Sequence, residues 1–257
     1  MTINLSKEAG VAKIILNRPD VLNSFNKEVA MAMQDALKDC DRDPEVRAIF
    51  LTGEGRAFCA GQDLAEAIAA DGPTLNSIVR DHYNPIISQL RGIEKPIICA
   101  VNGVAAGAGA NIALACDIIF AGTSASFIQA FSKIGLIPDS GGTFFLPRIV
   151  GFQRATALMM LGDKLKAAEA FNMGLVYKVI DDDKLLEVSF ECAKSMAKMP
   201  TKGLGYTKRA LNLSLFNNLD DQLDVEENLQ TMAGKTHDYQ EGVNAFLQKR
   251  LPDFKGN

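Results

Sequence analysis

The sequence predicts an α/β protein, and three observations carry that prediction. Short β-prone apolar runs alternate with helix-patterned segments over the first two thirds of the 257 residues. Some runs, such as Pro96-Ile97-Ile98-Cys99-Ala100-Val101, are almost continuously apolar, as strands buried on both faces of a sheet are. Beyond Asp181-Asp182-Asp183 helix formers with periodic Leu, Met and Ala take over, and no further strand is expected. We divide the chain accordingly into a core over 1–194 and a helical region over 195–257.

Val11-Ala12-Lys13-Ile14-Ile15-Leu16 is a strand that stops where Asn17-Arg18-Pro19-Asp20 breaks it. The spacing of Val29, Met33, Ala36 and Leu37 predicts a helix from Asn26 to Cys40 with Asn26 as N-cap. A second strand, Val46 to Thr52, ends in Gly53-Glu54-Gly55-Arg56 and a turn over 57–64. From Leu64 to Arg91 the pattern is helical but broken by Asp71-Gly72-Pro73. The strand over 96–101 feeds the run Gly103-Val104-Ala105-Ala106-Gly107-Ala108-Gly109-Ala110-Asn111-Ile112, a glycine turn opening an alanine-rich helix. Cys116 to Ala121 and Ser126-Phe127-Ile128 are further strands, and a helix runs from the Asp139 turn towards Arg148. Helices over 151–160 and 167–172 and a late strand over 175–180 complete the core.

Composition narrows the function. With 47% hydrophobic residues the chain can bury a substantial core, and a net charge of −4 without any Lys/Arg block argues against a nucleic-acid surface. Five cysteines without CxxC spacing are expected as reduced core thiols. No secretion signal or membrane span is predicted, so we expect a cytoplasmic protein. His82 and His237 stand far from each other and from any nucleophile-elbow motif, so neither a metal site nor Ser-His-Asp catalysis is expected. The glycine run lacks the third glycine of a dinucleotide site, and no Walker lysine follows a GxxxxG spacing.

Two strand ends, Ala60-Gly61-Gln62 and Gly107-Ala108-Gly109, offer backbone N–H groups among small residues, which is what an oxyanion hole needs. The same glycines also suit a tightly packed helix start with no ligand. Asp139, between Pro138 and Gly141-Gly142, stands where a helix N-cap or a catalytic acid would.

Taken together, Leu16-Asn17-Arg18-Pro19, residues 57–64 (AFCAGQDL), residues 95–103 (KPIICAVNG) and residues 135–143 (GLIPDSGGT) resemble the successive signatures of the enoyl-CoA hydratase/isomerase (crotonase) superfamily, in family order over essentially the whole chain. The resemblance implies a crotonase-like spiral of ββα units, a helical C-terminal trimerisation region giving a trimer or dimer of trimers, and a coenzyme A thioester as substrate with no separate cofactor. It implies that the N–H groups of Gln62 and Ala108 hold the thioester oxygen, although the family often has glycine at the latter position. It further implies a substrate pocket lined by Asp20, Val21, Leu22, Ala60, Gly61, Asp63, Leu64, Gly107 and Phe131. Lys255, near the C-terminus, is a candidate to reach a CoA phosphate, although an exposed terminal lysine equally suits plain solvation.

The two glutamates that the hydratases use would fall at Asn111 and Phe131, and neither is present, so simple hydration is disfavoured. Asp139 instead matches the acid of a subset that includes ring-epoxide isomerases and aromatic acyl-CoA dehalogenases. Residues 131–139 (FSKIGLIPD), Tyr83-Asn84-Pro85 and residues 238–247 (DYQEGVNAFL) resemble the branch that converts ring 1,2-epoxyphenylacetyl-CoA to oxepin-CoA in phenylacetate breakdown. Alternatives are a Δ3,Δ2-enoyl-CoA isomerase and a noncatalytic acyl-CoA-binding protein. A dehalogenase of this family would place tryptophan where Phe131 stands.

Overall fold

The computed structural model describes residues 1–257. It begins with an antiparallel hairpin of β1 (Ile3–Glu8) and β2 (Val11–Leu16). A one-turn 3-10 helix and the loop to Asn26 lead into α1 (Lys27–Arg42), where the Asn26 side chain accepts from the Val29 N–H as the sequence predicts. From there the chain alternates between two sheets. β3 (Ala48–Gly53) joins the large sheet, and β4 (Ala57–Cys59), inside the segment expected as a turn, founds a small one. After α2 (Leu64–Ala67), α3 (Leu75–Ser77), a π-helix over Ile78–Tyr83 and α4 (Asn84–Gly92), the pairing repeats. β5 (Ile97–Val101) lies in the large sheet and β6 (Val104–Ala106) in the small one, and α5 (Ala108–Leu114) follows. A third pair, β7 (Ile118–Gly122) and β8 (Ser126–Ile128), precedes α6 (Gly142–Val150) and α7 (Phe152–Leu161). β9 (Lys164–Lys166), α8 (Ala167–Asn172) and β10 (Lys178–Ile180) close the sheets.

The large sheet has the order β1-β2-β3-β5-β7-β10 and is parallel from β2 onward, while the small sheet has the order β4-β6-β8-β9. This repetition is the spiral of ββα units that the family resemblance implies. Three details differ from the sequence expectation. A short strand, β6, stands between the strand over 97–101 and its helix, so strand, turn and helix are not strictly consecutive. The late strand shrinks from 175–180 to Lys178–Ile180, because Leu175 and Val176 are buried in the main core without ladder partners. β1 and β9 were not anticipated.

Alternate residues of the parallel strands face two cores, which is why those runs are apolar throughout. Leu51, Ile97, Cys99 and Val101 belong to the main core with α1, α4 and α5. Val11, Ala48, Phe50, Ile98, Ala100 and Phe120 face the other way, against Leu185, Ala193 and Ala197 of α9 (Leu185–Ala197). That helix spans the boundary drawn at 194 and covers the back of the sheet. α10 (Thr201–Ser214), α11 (Leu219–Ala233) and α12 (His237–Leu247) follow, with no strand among them.

Candidate active site

The small sheet positions the candidate site. β4, β6 and β8 are parallel and end side by side, and chain leaving the carboxyl ends of parallel strands is where such sheets bind ligands. Ala60, Gly61 and Gln62 leave β4, Gly107 and Ala108 leave β6, and Gln129 to Phe131 leave β8. Gly61 has φ +91°, and a Cβ there would stand 2.8 Å from the Ala106 carbonyl and 3.5 Å from the Ala108 nitrogen. Only glycine lets these loops touch. Gly109, in the first turn of α5, allows the reciprocal approach, since a Cβ there would stand 2.4 Å from the Cys59 carbonyl.

The backbones that carry the Gln62 and Ala108 N–H groups therefore lie close together, and neither N–H has a backbone acceptor in the protein. Ala108 opens α5, where N–H groups lack intrahelical partners. A carbonyl oxygen set between the two N–H groups would meet two donors. The Phe131 ring packs over Gly107, 3.7 Å from where a Cβ would stand, and walls this corner with an apolar face.

Asp139 is not the helix cap. The N-cap of α6 is Gly141, and the Asp139 carboxylate accepts from the Ser140 hydroxyl (2.9 Å) rather than from helix N–H groups. Burial pushes its carboxyl above the usual aspartate range, and the Ser140 hydrogen bond opposes that shift. Tyr83, at the end of the π-helix, is fully buried and donates to Gln62 Oε1 (3.0 Å). Burial holds its phenol protonated far above its ordinary range, and the proximity of the Cys59 thiol and the Asp139 carboxyl acts in the same direction.

The other carboxylates nearby are committed. Asp63 pairs with Arg18 (3.0 Å) and caps α2 by accepting from the Ala65 N–H (3.2 Å), contacts that hold the Gln62 loop. Glu66 accepts from the Lys27 N–H (3.0 Å) and from the Gln62 side-chain amide (3.4 Å). Leu22 accepts from the Ala60 N–H (2.9 Å), while Asp20, Val21 and Leu64 are exposed around this loop. Lys255 is not brought here within one protomer. It lies with Glu45 and Arg47, near the N-terminal ends of β3 and β5, and its ammonium pairs with Asp253 (2.6 Å).

Two further residues shape the site, and the sequence did not single them out. Asn23 (φ +56°) follows Leu22 (φ +53°) in the left-handed region, and its amide donates to the Glu54 and Ala57 carbonyls (2.9 and 2.8 Å). It fixes the turn beside Ala60, and the left-handed tolerance of asparagine in a turn was the available signal. Ser140 (φ +49°) is buried beside the carboxylate it holds, and nothing in its type announces either property.

No group of three or more His, Cys, Asp or Glu side chains is arranged to hold a metal ion. The sequence profile described as enoyl-CoA hydratase/isomerase matches residues 6–257. The chain is 48% identical over 252 residues to the 1,2-epoxyphenylacetyl-CoA isomerase of Escherichia coli (strain K12), covering 97% of this chain and 96% of the relative. It is 36% identical over 252 residues to the 2,3-dehydroadipyl-CoA hydratase of the same organism, covering 98% of each. The crystal structure of a putative enoyl-CoA hydratase/isomerase from Mycobacterium abscessus superposes with a TM-score of 0.94 at 38% identity, covering 99% of this chain and 100% of that one. Relatives of both chemistries share this fold, so the side chains at the site must discriminate between them.

Proposed function

We propose, from the premise that this chain belongs to the enoyl-CoA hydratase/isomerase family, that it isomerises ring 1,2-epoxyphenylacetyl-CoA to oxepin-CoA. The observation that carries the reading is the acid inventory at the oxyanion pair. Asp139, whose turn is tied to α5 through Asn111 and whose carboxyl lies near Tyr83, is the one carboxylate of the surrounding segments not committed to an ion pair or a cap, and Asn111 and Phe131 leave no second one to position a water. A single base that takes a proton and gives it back performs an isomerisation.

In this reading Asp139 takes a proton from the carbon between the ring and the thioester carbonyl. The electron pair moves onto the thioester oxygen, where the Gln62 and Ala108 N–H groups hold the enolate charge. The ring bond shared with the epoxide opens, giving a seven-membered ring that contains the oxygen. The proton returns from Asp139 to a ring carbon, so substrate and product have the same composition. The dry wall of Phe131 suits an aromatic or dearomatised ring and keeps water from the enolate. Shifting a 3,4 double bond of an unsaturated acyl-CoA to the 2,3 position needs the same proton path, and we propose it as a secondary activity.

The working unit is proposed as a homotrimer or dimer of trimers in the cytoplasm, a compartment consistent with five unpaired cysteines, four of them buried. Incubating the protein separately with ring-epoxide, 3-enoyl and crotonyl thioesters, and following product mass and thioester absorbance, tests the assignment. Turnover is expected in the order epoxide, 3-enoyl, crotonyl, with crotonyl-CoA hydration negligible. Asp139→Asn is expected to lower epoxide turnover by about 10²–10⁴-fold with thioester affinity kept. Efficient crotonyl-CoA hydration that survives Asp139→Ala would overturn the reading.

A further inference from the structure

We infer that Asn111 is a positioning residue for Asp139, fixing through its side-chain amide the turn that carries the acid. The inference rests on the role of Asp139 proposed above. Asn111 is fully buried on α5, and its Nδ2 donates to the Asp139 carbonyl (2.8 Å) while its Oδ1 accepts from Gln129 Nε2 (2.8 Å). The orientation is forced, because turning the amide over would set Oδ1 against the Asp139 carbonyl oxygen, acceptor to acceptor. Gln129 Oε1 has no hydrogen-bond partner, so the Gln129 amide is oriented by Asn111 alone.

The turn needs such an anchor. Ser140 (φ +49°) and Gly141 (φ +73°) are consecutive left-handed residues, and the serine stores strain that surrounding structure must hold. Within the segment, the Gly142 N–H donates to the Asp139 carbonyl (2.8 Å) and the Ser140 hydroxyl to its carboxylate. Apart from the α6 N–H groups of Phe144 and Phe145 that donate to the Gly141 carbonyl (2.9 Å each), the Asn111 amide is the hydrogen bond that ties residues 138–142 to the rest of the fold. Packing agrees, because Gly142 at the start of α6 sits on this amide so closely that a Cβ would stand 2.4 Å from Nδ2.

Position 111 therefore cannot both carry a carboxylate and hold this turn. An acid there would present an oxygen to the Asp139 carbonyl and lose the donor. The side chain that stands where a hydratase glutamate would fall serves here to place the single acid on the neighbouring turn.

Asn111→Asp keeps the size and the acceptor for Gln129 but replaces the amide donor with an ionisable carboxyl, so Gln129→Met, which adds no charge, is measured beside it. We expect kcat with the ring-epoxide thioester to fall by about 100-fold, the effect of an ångström of misplacement, with KM unchanged within about twofold. A merely structural role would reduce the amount of folded enzyme without separating kcat from KM. Unchanged kcat per folded active site, or a rise in KM alone, would overturn the inference. Should Asn111→Asp not fold, Gln129→Met decides: it frees the Asn111 amide, and a fall in kcat of about tenfold supports the inference whereas full kcat overturns it. Asp139→Asn runs alongside. If that variant stays active, the proposed function fails; if it is inactive while Asn111→Asp turns over normally, only the positioning role fails.

Discussion

Burial makes the ionised form of Asp139 unfavourable, and this has a consequence for stability as well as for chemistry. Its pKa in the folded protein lies above that of the unfolded chain, so between the two values the folded state binds more protons. Unfolding free energy therefore declines as pH rises through the folded pKa, and the favourable contribution is complete only below the unfolded value of about 3.9. Asp139→Asn should accordingly raise the melting temperature at pH 7–8, with the gain fading as the buffer is taken towards pH 3, while removing activity. Melts of both proteins across that range check it, and an equal difference at every pH would show that the acid does not titrate as described. Gln62 offers a second test, because its backbone rather than its amide is the proposed oxyanion donor. Gln62→Ala loses the Tyr83 hydrogen bond and should stay within about tenfold of wild-type kcat, whereas Gln62→Pro deletes the N–H and should lose about 10²–10³-fold. Equal losses in two folded variants would argue against that donor.

Elements were legible where burial imposes a period and illegible where it does not. Strands β3, β5 and β7 and helix α1 show their pattern because each faces a core, and the glycine runs announced close backbone approach, which Gly61 and Gly109 make. β1 carries one buried residue, Ile3, among five exposed ones, so no alternation marks it. β6 is three small residues that look like a turn until β4 and β8 pair with it. The π-helix over Ile78–Tyr83 has no sequence signature; it is held from α1, where Gln34 Nε2 donates to the Asp81 and His82 carbonyls (2.8 and 3.1 Å), and it delivers Tyr83 to Gln62. For the site, the oxyanion loops and Asp139 stand out in the sequence as motifs, whereas position 111 is marked only by the carboxylate it lacks. Its function is a long-range bond to residue 139, which local pattern cannot show. α10 is anchored in a comparable way. Asp117, just before β7, accepts from Arg91 Nη1 (3.0 Å), Lys208 Nζ (2.8 Å) and the Ile97 N–H (2.9 Å), and Lys208 also donates to the Leu90 carbonyl (2.7 Å). Asp117→Asn leaves the buried Lys208 without its counter-charge and should destabilise the protein by about 3 kcal/mol, since Asp117 keeps some contact with solvent. Chemical denaturation measures this, and a change under about 0.5 kcal/mol would place the anchor of α10 elsewhere.

At the scale of the whole molecule, the helical tail leaves apolar surface that its own chain does not cover. Tyr239, Val243, Phe246 and Leu247 recur at the spacing of one helical face on α12 and are 55, 41, 82 and 73% exposed. On α10 and α11, Leu211, Leu219 and Leu223 are 62, 72 and 52% exposed. Fully burying an exposed side chain of this size contributes about 1.5–3 kcal/mol; scaled by the exposure each retains, the seven give on the order of 7–13 kcal/mol, comparable to the 4–15 kcal/mol that association costs. We therefore expect a self-associated state at working concentration, the trimer or dimer of trimers proposed above. Light scattering at micromolar concentration should give about three or six times the protomer mass of 27.7 kDa. The doubly charged variant Phe246→Asp/Leu247→Asp should lower that mass while leaving the protomer folded, because both side chains lie outside the core clusters. A wild-type protein that stays monomeric at micromolar concentration would contradict the proposal, and a variant that keeps the full assembled mass would move the interface away from α12.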